Sequence, residues 1–192
     1  MNNKTQDLKS ALRREARERL REMIADRRAA ASAQARALLI AQARWQSAAA
    51  VLLYAPMSQE VDMWPLLEAG LAAGKTVALP RFEESTSTYV ACRITDLKAD
   101  VSPGCFGIRE PNERCARNEI NRLDLILVPG LAFDLQGHRL GKGRGFYDQL
   151  LVTLRGTTCG VAFDEQIVPE VPVEPHDIRL DYLLTPTRWV EA

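Results

Sequence analysis

The sequence has little with which to hold a transition metal. It contains two histidines, His138 and His176, and four cysteines, Cys92, Cys105, Cys115 and Cys159, none of them in a C-x-x-C pair, so a zinc site is not expected. The cysteines read as free thiols of a reducing compartment. No apolar run approaches the ~20 residues needed to span a bilayer, and the first nine residues hold no signal-peptide apolar region. An excess of either charge is missing too, since 25 Lys/Arg balance 25 Asp/Glu, which argues against general nucleic-acid or polyanion binding. A cytoplasmic monomer without nucleic-acid or membrane partners is expected. Three common signatures are absent as well. Gly137 to Lys142 is too short for a Walker A loop and Gly143 stands where it requires Ser/Thr. A dinucleotide fingerprint fails because the third glycine of Gly141, Gly143 and Gly145 comes one position early, with no early strand to feed it. There is no G-x-S-x-G for hydrolase chemistry.

What is present suits one domain over residues 1–192, with 46% hydrophobic content to bury as a single core. The first thirty residues carry nine Lys/Arg and five Asp/Glu, with Leu8, Leu12, Ala16, Leu20 and Ile24 recurring every four. This predicts an amphipathic helix over 5–28, packed by one stripe, with Lys9 and Arg13 projecting together beside that stripe, where Lys9 is dispensable for packing. Ser32 can cap a second helix to about residue 46, and 50–54 reads as a buried strand stopped by Pro56. Pro65 suits the first turn of a third helix, Gly74 its C-terminal cap, and 76–79 the next strand, giving the βαβ signature of a parallel sheet. A further strand is expected at 88–92, a long irregular loop over 100–118, strands at 158–162 and 182–184, and a proline-rich passage at 169–175 leading to His176 and Asp177. The architecture predicted is a three-layer α/β/α single domain with a largely parallel sheet and ligands at the C-terminal strand ends.

The chemistry concentrates in Arg139-Leu140-Gly141-Lys142-Gly143-Arg144-Gly145-Phe146-Tyr147-Asp148. Alternate glycines permit positive φ and let backbone N–H groups approach a ligand without a Cβ in the way. Such a turn makes an anion nest, and a helix starting near Phe146 adds its positive end. A phosphate is the favoured ligand. Asp148, one turn into that helix, would repel a phosphate unless a divalent cation bridges the two, and magnesium is commonly held by one or two carboxylates together with phosphate oxygens. The wholly apolar Leu125-Ile126-Leu127-Val128, ending in Pro129-Gly130, is the buried strand expected to deliver the loop to a ligand crevice.

These blocks resemble the 5-formyltetrahydrofolate cyclo-ligase family over nearly the whole chain. They comprise Lys9 with Leu12-Arg13, Glu60-Val61-Asp62, Leu79-Pro80-Arg81, Phe106-Gly107-Ile108 with Glu110-Pro111, Val128 to Asp134, Arg139 to Asp148, and His176-Asp177. The resemblance implies that ATP and magnesium convert 5-formyltetrahydrofolate into 5,10-methenyltetrahydrofolate with release of ADP and phosphate. It implies catalytic roles for Lys9, Arg139, Arg144 and Tyr147, and an ATP site of Lys9, Arg13, Arg139, Leu140, Gly141, Lys142, Gly143, Arg144, Gly145, Phe146 and Tyr147. The folate would lie on Ala55, Glu60 and Phe106 and on Lys142 to Phe146, with Asp148 and Asp177 holding the magnesium. A carboxylate suits the donors of a pterin and an aromatic ring its flat face. Two departures stand out: many members have aromatic or small residues where Lys142 and Arg144 stand, and two tyrosines where Phe146-Tyr147 stands. The alternatives are a paralogue that turns ATP on another small molecule and a binder that sequesters formylfolate without turnover.

Overall fold

The apolar runs of the sequence lie side by side as one sheet. The computed structural model describes residues 2–115 and 122–192. Its elements are α1 (Asn2–Glu22), α2 (Ala25–Ile40), α3 (Ala43–Ser47), β1 (Ala50–Leu52), α4 (Trp64–Ala72), β2 (Thr76–Glu83), β3 (Thr88–Ile94), α5 (Leu97–Asp100), β4 (Val101–Pro103) and β5 (Arg109–Pro111). There follow β6 (Arg122–Pro129), β7 (Ala132–Phe133), β8 (Arg139–Leu140), α6 (Phe146–Thr153), β9 (Arg155–Val161), β10 (Tyr182–Leu184) and β11 (Trp189–Glu191). The large sheet runs β11-β10-β9-β6-β1-β2-β3. Its inner five strands are parallel, and β3 and β11 close the edges antiparallel.

Alternation along the strands sorts their side chains into two cores, as the pleat requires. Val51, Leu53, Val77, Leu79, Leu125 and Leu127 join Ala16, Leu20, Leu39, Trp45 and Leu66 on one face. Leu52, Ala78, Ile126 and Val128 join Leu150 and Leu151 of α6 on the other. The chain is thus the three-layer α/β/α arrangement expected. Gly74 takes φ +74 directly after α4, the left-handed stop that glycine allows without Cβ strain.

Several boundaries differ from expectation. The first helix ends at Glu22 rather than near 28, because Arg28 reaches back to donate to the carbonyls of Leu20 (2.8 Å) and Met23 (2.9 Å), satisfying groups a helix end leaves unpaired. Met23 then turns inward while Ile24 is 68% exposed, and Leu8 is exposed as well. The inward stripe is therefore shorter than its period suggests. Ser32 is not a cap: it lies buried inside α2, where its Oγ accepts the Asp62 N–H at 3.0 Å, and what was expected to be one helix to 46 is α2 and α3. The stretch 100–118 is not an irregular loop throughout, since β4 and β5 pair as a hairpin around a 3-10 turn, Cys105–Gly107; its last three residues, 116–118, lie outside the described residues.

Candidate active site

In chain order the parallel strands are arranged 2-1-3-4-5, so the direction of winding reverses between β1 and β6. A crevice opens beyond the carboxyl ends of strands at such a reversal. Here it is bounded by Tyr54, Ala55, Met57 and Glu60 after β1, by Pro129 and Gly130 at the end of β6, and by the glycine loop before α6. The cleft has about 1040 Å³ of free space including its open mouth, room for a fused ring system as well as a phosphate.

The glycine loop has the backbone its sequence predicts. Gly143 and Gly145 adopt φ +107 and +68, and α6 begins at Phe146 with Gly145 as its N-cap. Leu140 is buried, pinning the start of the loop through the β7–β8 pair, while Gly141, Lys142, Arg144, Gly145, Phe146, Tyr147 and Asp148 line the cleft. Helix α1 meets the loop from outside: Arg13 Nε donates to the Gly141 carbonyl at 3.1 Å, and its guanidinium sits against Gly143.

Lys9 contradicts the expectation that it is dispensable for packing. It is 4% exposed, and its Nζ bonds Glu174 (2.9 Å) and Asp177 (2.5 Å). The proline-rich passage delivers two carboxylates to α1, so this lysine is part of the interior. Arg139 is likewise not a free cation. The residue is 7% exposed, one guanidinium nitrogen lies 2.8 Å from Asp148 Oδ1, and Nε is buried without a partner among the described residues.

The opposite wall is aromatic. Phe106 stacks on Phe146 with centroids 5.9 Å apart, Phe82 meets both, and Tyr89 packs on Phe146 and Tyr147. Phe106 is 46% exposed with φ +59, a conformation costly for a side chain of its size and held by the hairpin. Arg144 lies over its ring at 4.3 Å. Glu60 faces this wall, with Oε2 accepting the Met57 N–H at 2.9 Å and Oε1 2.6 Å from Lys142 Nζ. Burial, then the charge of Glu60, pushes the Tyr147 phenol well above its usual value of 10. At neutral pH Tyr147 is therefore a hydroxyl, able to donate a hydrogen bond but not to act as a base.

With this geometry the chain matches known proteins along most of its length. The model of the 5-formyltetrahydrofolate cyclo-ligase family matches residues 5–186. This chain belongs to that family. The mouse 5-formyltetrahydrofolate cyclo-ligase is 32% identical over 187 residues, 92% of each chain. That of Escherichia coli K12 is 32% identical over 143 residues, 72% of this chain and 78% of its own. The solved structure of the Aquifex aeolicus 5,10-methenyltetrahydrofolate synthetase superposes with a TM-score of 0.85 at 34% identity, covering 96% of this chain and 92% of that one. As a member of a cyclo-ligase family the chain is an enzyme of the ligase class.

The two carboxylates expected to hold magnesium differ in availability. Asp148 lines the cleft, with Oδ1 given to Arg139 and Oδ2 without a partner among the described residues. Asp177 has Oδ2 taken by Lys9 and the Glu174 N–H, leaving Oδ1 3.8 Å from His176 Nε2. Among the described residues no three His, Cys, Asp or Glu side chains gather as a metal site. The donor set fits magnesium only with phosphate oxygens completing its shell.

Several residues that line or support the cleft were not marked in the sequence. Tyr89 and Pro80 line the cleft because β2 and β3 form one long hairpin beside it, and Arg109 does so from β5. Glu110 anchors the hairpin carrying Phe106, its Oε2 accepting the Phe82 N–H at 3.0 Å. Asp134 accepts three backbone N–H groups, from Gln136, His138 and Val171, and so ties the strand before Arg139 to the passage leading to Glu174. Of these, Pro80, Glu110 and Asp134 fall within blocks of the family resemblance, Leu79-Pro80-Arg81, Glu110-Pro111 and Val128 to Asp134, which gave them no role. No helix among the described residues is long and apolar enough to cross a membrane.

Proposed function

We propose that the protein converts 5-formyltetrahydrofolate to 5,10-methenyltetrahydrofolate, coupled to hydrolysis of ATP to ADP and phosphate. The single observation that carries this reading is the cleft itself: a carboxylate and an aromatic wall face a glycine nest across one crevice, so a flat hydrogen-bonding ring and a polyphosphate can lie side by side. Glu60 accepts from the ring donors of the pterin, Phe106 and Phe146 cover its face, and Ala55 backs it. The phosphates take the amides of residues 141–147 and the positive end of α6, with Lys142, Arg144, Arg13 and Lys9 supplying positive charge around them.

A formyl amide is a weak electrophile. The formyl oxygen attacks the γ-phosphorus, an O–P bond forms, and ADP leaves. The second folate nitrogen then attacks the activated carbon; a C–N bond forms, the C–O bond breaks, phosphate leaves with the oxygen, and the attacking nitrogen loses its proton. Phosphoryl transfer of this kind needs positioning and charge neutralisation rather than a strong base, which agrees with a Tyr147 that stays protonated. Asp148 is the carboxylate that would hold magnesium against the phosphates, with Asp177, which is bound to Lys9, as the second, and the ion when bound would neutralise phosphate charge. Arg139 holds Asp148 in place for that task.

The test is a spectrophotometric assay for the methenyl product with and without ATP. Product that appears only with ATP is the expected result. Tight formylfolate binding with no product at any ATP concentration would make the protein a binder, and ATP consumption without methenyl product would move the activity to another substrate.

A further inference from the structure

We infer that Lys142 is a shared cation that couples the two ligand sites: it pairs with Glu60 across the cleft, and an arriving nucleotide draws it onto phosphate and exposes Glu60 to the folate ring. The inference rests on the proposed function for the identity of the two ligands. Its basis is the bridge across the mouth of the cleft. Lys142 Nζ lies 2.6 Å from Glu60 Oε1 and also contacts the Met57 sulfur, while Glu60 Oε2 takes the Met57 N–H at 2.9 Å. Both carboxylate oxygens are thus engaged before any ligand arrives. A pterin offers Glu60 further N–H donors, and lysine has three donors and no acceptor, so ring and ammonium compete for one oxygen.

The lysine is the partner free to leave. Its side chain is 44% exposed against 11% for Glu60, and it rides on a flexible stem in a loop whose glycines already hold positive φ. The same loop is the phosphate nest, so a triphosphate presents several negative oxygens within reach of that stem. Breaking the bridge costs the same whichever ligand breaks it. Folate alone must meet that cost, nucleotide alone must meet it, and the two together meet it once. Positive and reciprocal coupling follows.

The experiment is calorimetric titration of the full chain with 5-formyltetrahydrofolate, alone and saturated with the β,γ-imido analogue of ATP plus magnesium, for the parent, Lys142→Met and Lys142→Arg. In the parent the analogue should tighten folate binding by about tenfold, and folate should tighten the analogue by the same factor. In Lys142→Met the coupling should fall below about twofold, with folate alone binding at least as tightly as to the parent, because Glu60 is no longer occupied. Lys142→Arg, which keeps the charge, should keep the coupling. Undiminished coupling in Lys142→Met overturns the inference, as does a loss of folate affinity in that variant without nucleotide, which would make Lys142 a direct folate ligand. A parent that binds both ligands independently overturns the coupling alone. A parent that binds the analogue but no formylfolate overturns the proposed function and the coupling together.

Discussion

Replacing Asp148 by asparagine tests two roles of one side chain, the ion pair with Arg139 that the structure shows and the magnesium site proposed above. The carboxylate holds Arg139 at 2.8 Å, in a pair whose side chains are 18% and 4% exposed, and Asp148 lines the cleft. Asparagine can still accept from Arg139, so what is lost is the charge rather than the hydrogen bond. Arg139 stays charged, so the surviving bond is still one to a charged group, a class worth ~1.5–3 kcal/mol, and losing the opposing charge should remove part of it, about 1–2 kcal/mol. At roughly 2–4 °C per kcal/mol for a chain of this size, the melting temperature should fall about 2–8 °C. The pair is buried enough that solvent screening removes little of this. If Asp148 also holds magnesium against the phosphates, the magnesium needed for half-maximal turnover should rise well beyond any effect of stability, since activity is measured far below the melting point. Differential scanning calorimetry and a magnesium titration at fixed ATP read the two roles separately. An unchanged melting temperature would refute the ion pair, and superimposable activation curves would remove Asp148 from the metal site.

Glu60→Gln turns an acceptor toward ring donors into a donor, and a mismatched buried donor costs ~1–3 kcal/mol, so folate affinity should fall about tenfold or more. Nucleotide affinity should hold or improve as Lys142 is released, and an equal loss for both ligands in titration would place Glu60 in the nucleotide site. Lys9→Met leaves Glu174 and Asp177 facing each other, so it should melt below the parent at neutral pH and bind ATP more weakly; equal melting temperatures would contradict the burial of Lys9. The hydrogen bond from Lys9 also holds the Glu174 carboxyl below its usual 4.5. That stabilisation is full above the usual value and is lost as pH falls through the depressed one, so the variant should lack this part of the parent's acid unfolding. Glu110 behaves in the opposite sense, because burial raises its carboxyl above 4.5 despite the Phe82 N–H and Arg81. The parent should therefore gain stability as pH falls from the raised value toward 4.5, and Glu110→Gln, measured by urea unfolding at neutral and mildly acidic pH, should lack that gain.

The local physics of the chain is legible in its sequence. Apolar runs of strand length, Pro65 in the first turn of a helix, Gly74 after it and the alternate glycines of 141–145 each specify local backbone, and local backbone is what spacing and residue type encode. From these the parallel sheet, the positive-φ glycine loop and the start of α6 could be read, and the family resemblance named Glu60 and Phe106, which the fold brings to one cleft. Tertiary structure decided the partners of the charges. Lys9 looked like a surface cation because helix period says only which face it shares, whereas its burial depends on Glu174 and Asp177, more than 160 positions away. Arg139 and Lys142 stand in one loop with the same charge, yet one is locked to Asp148 and the other bridges to Glu60. The aromatic wall draws on Phe82, Tyr89, Phe106 and Phe146 from β2, β3, the 101–111 hairpin and α6, and no periodicity along the chain could have joined them. Ion pairing and ring stacking act over a few ångströms in space, and only the winding of the sheet decides which distant residues come that close.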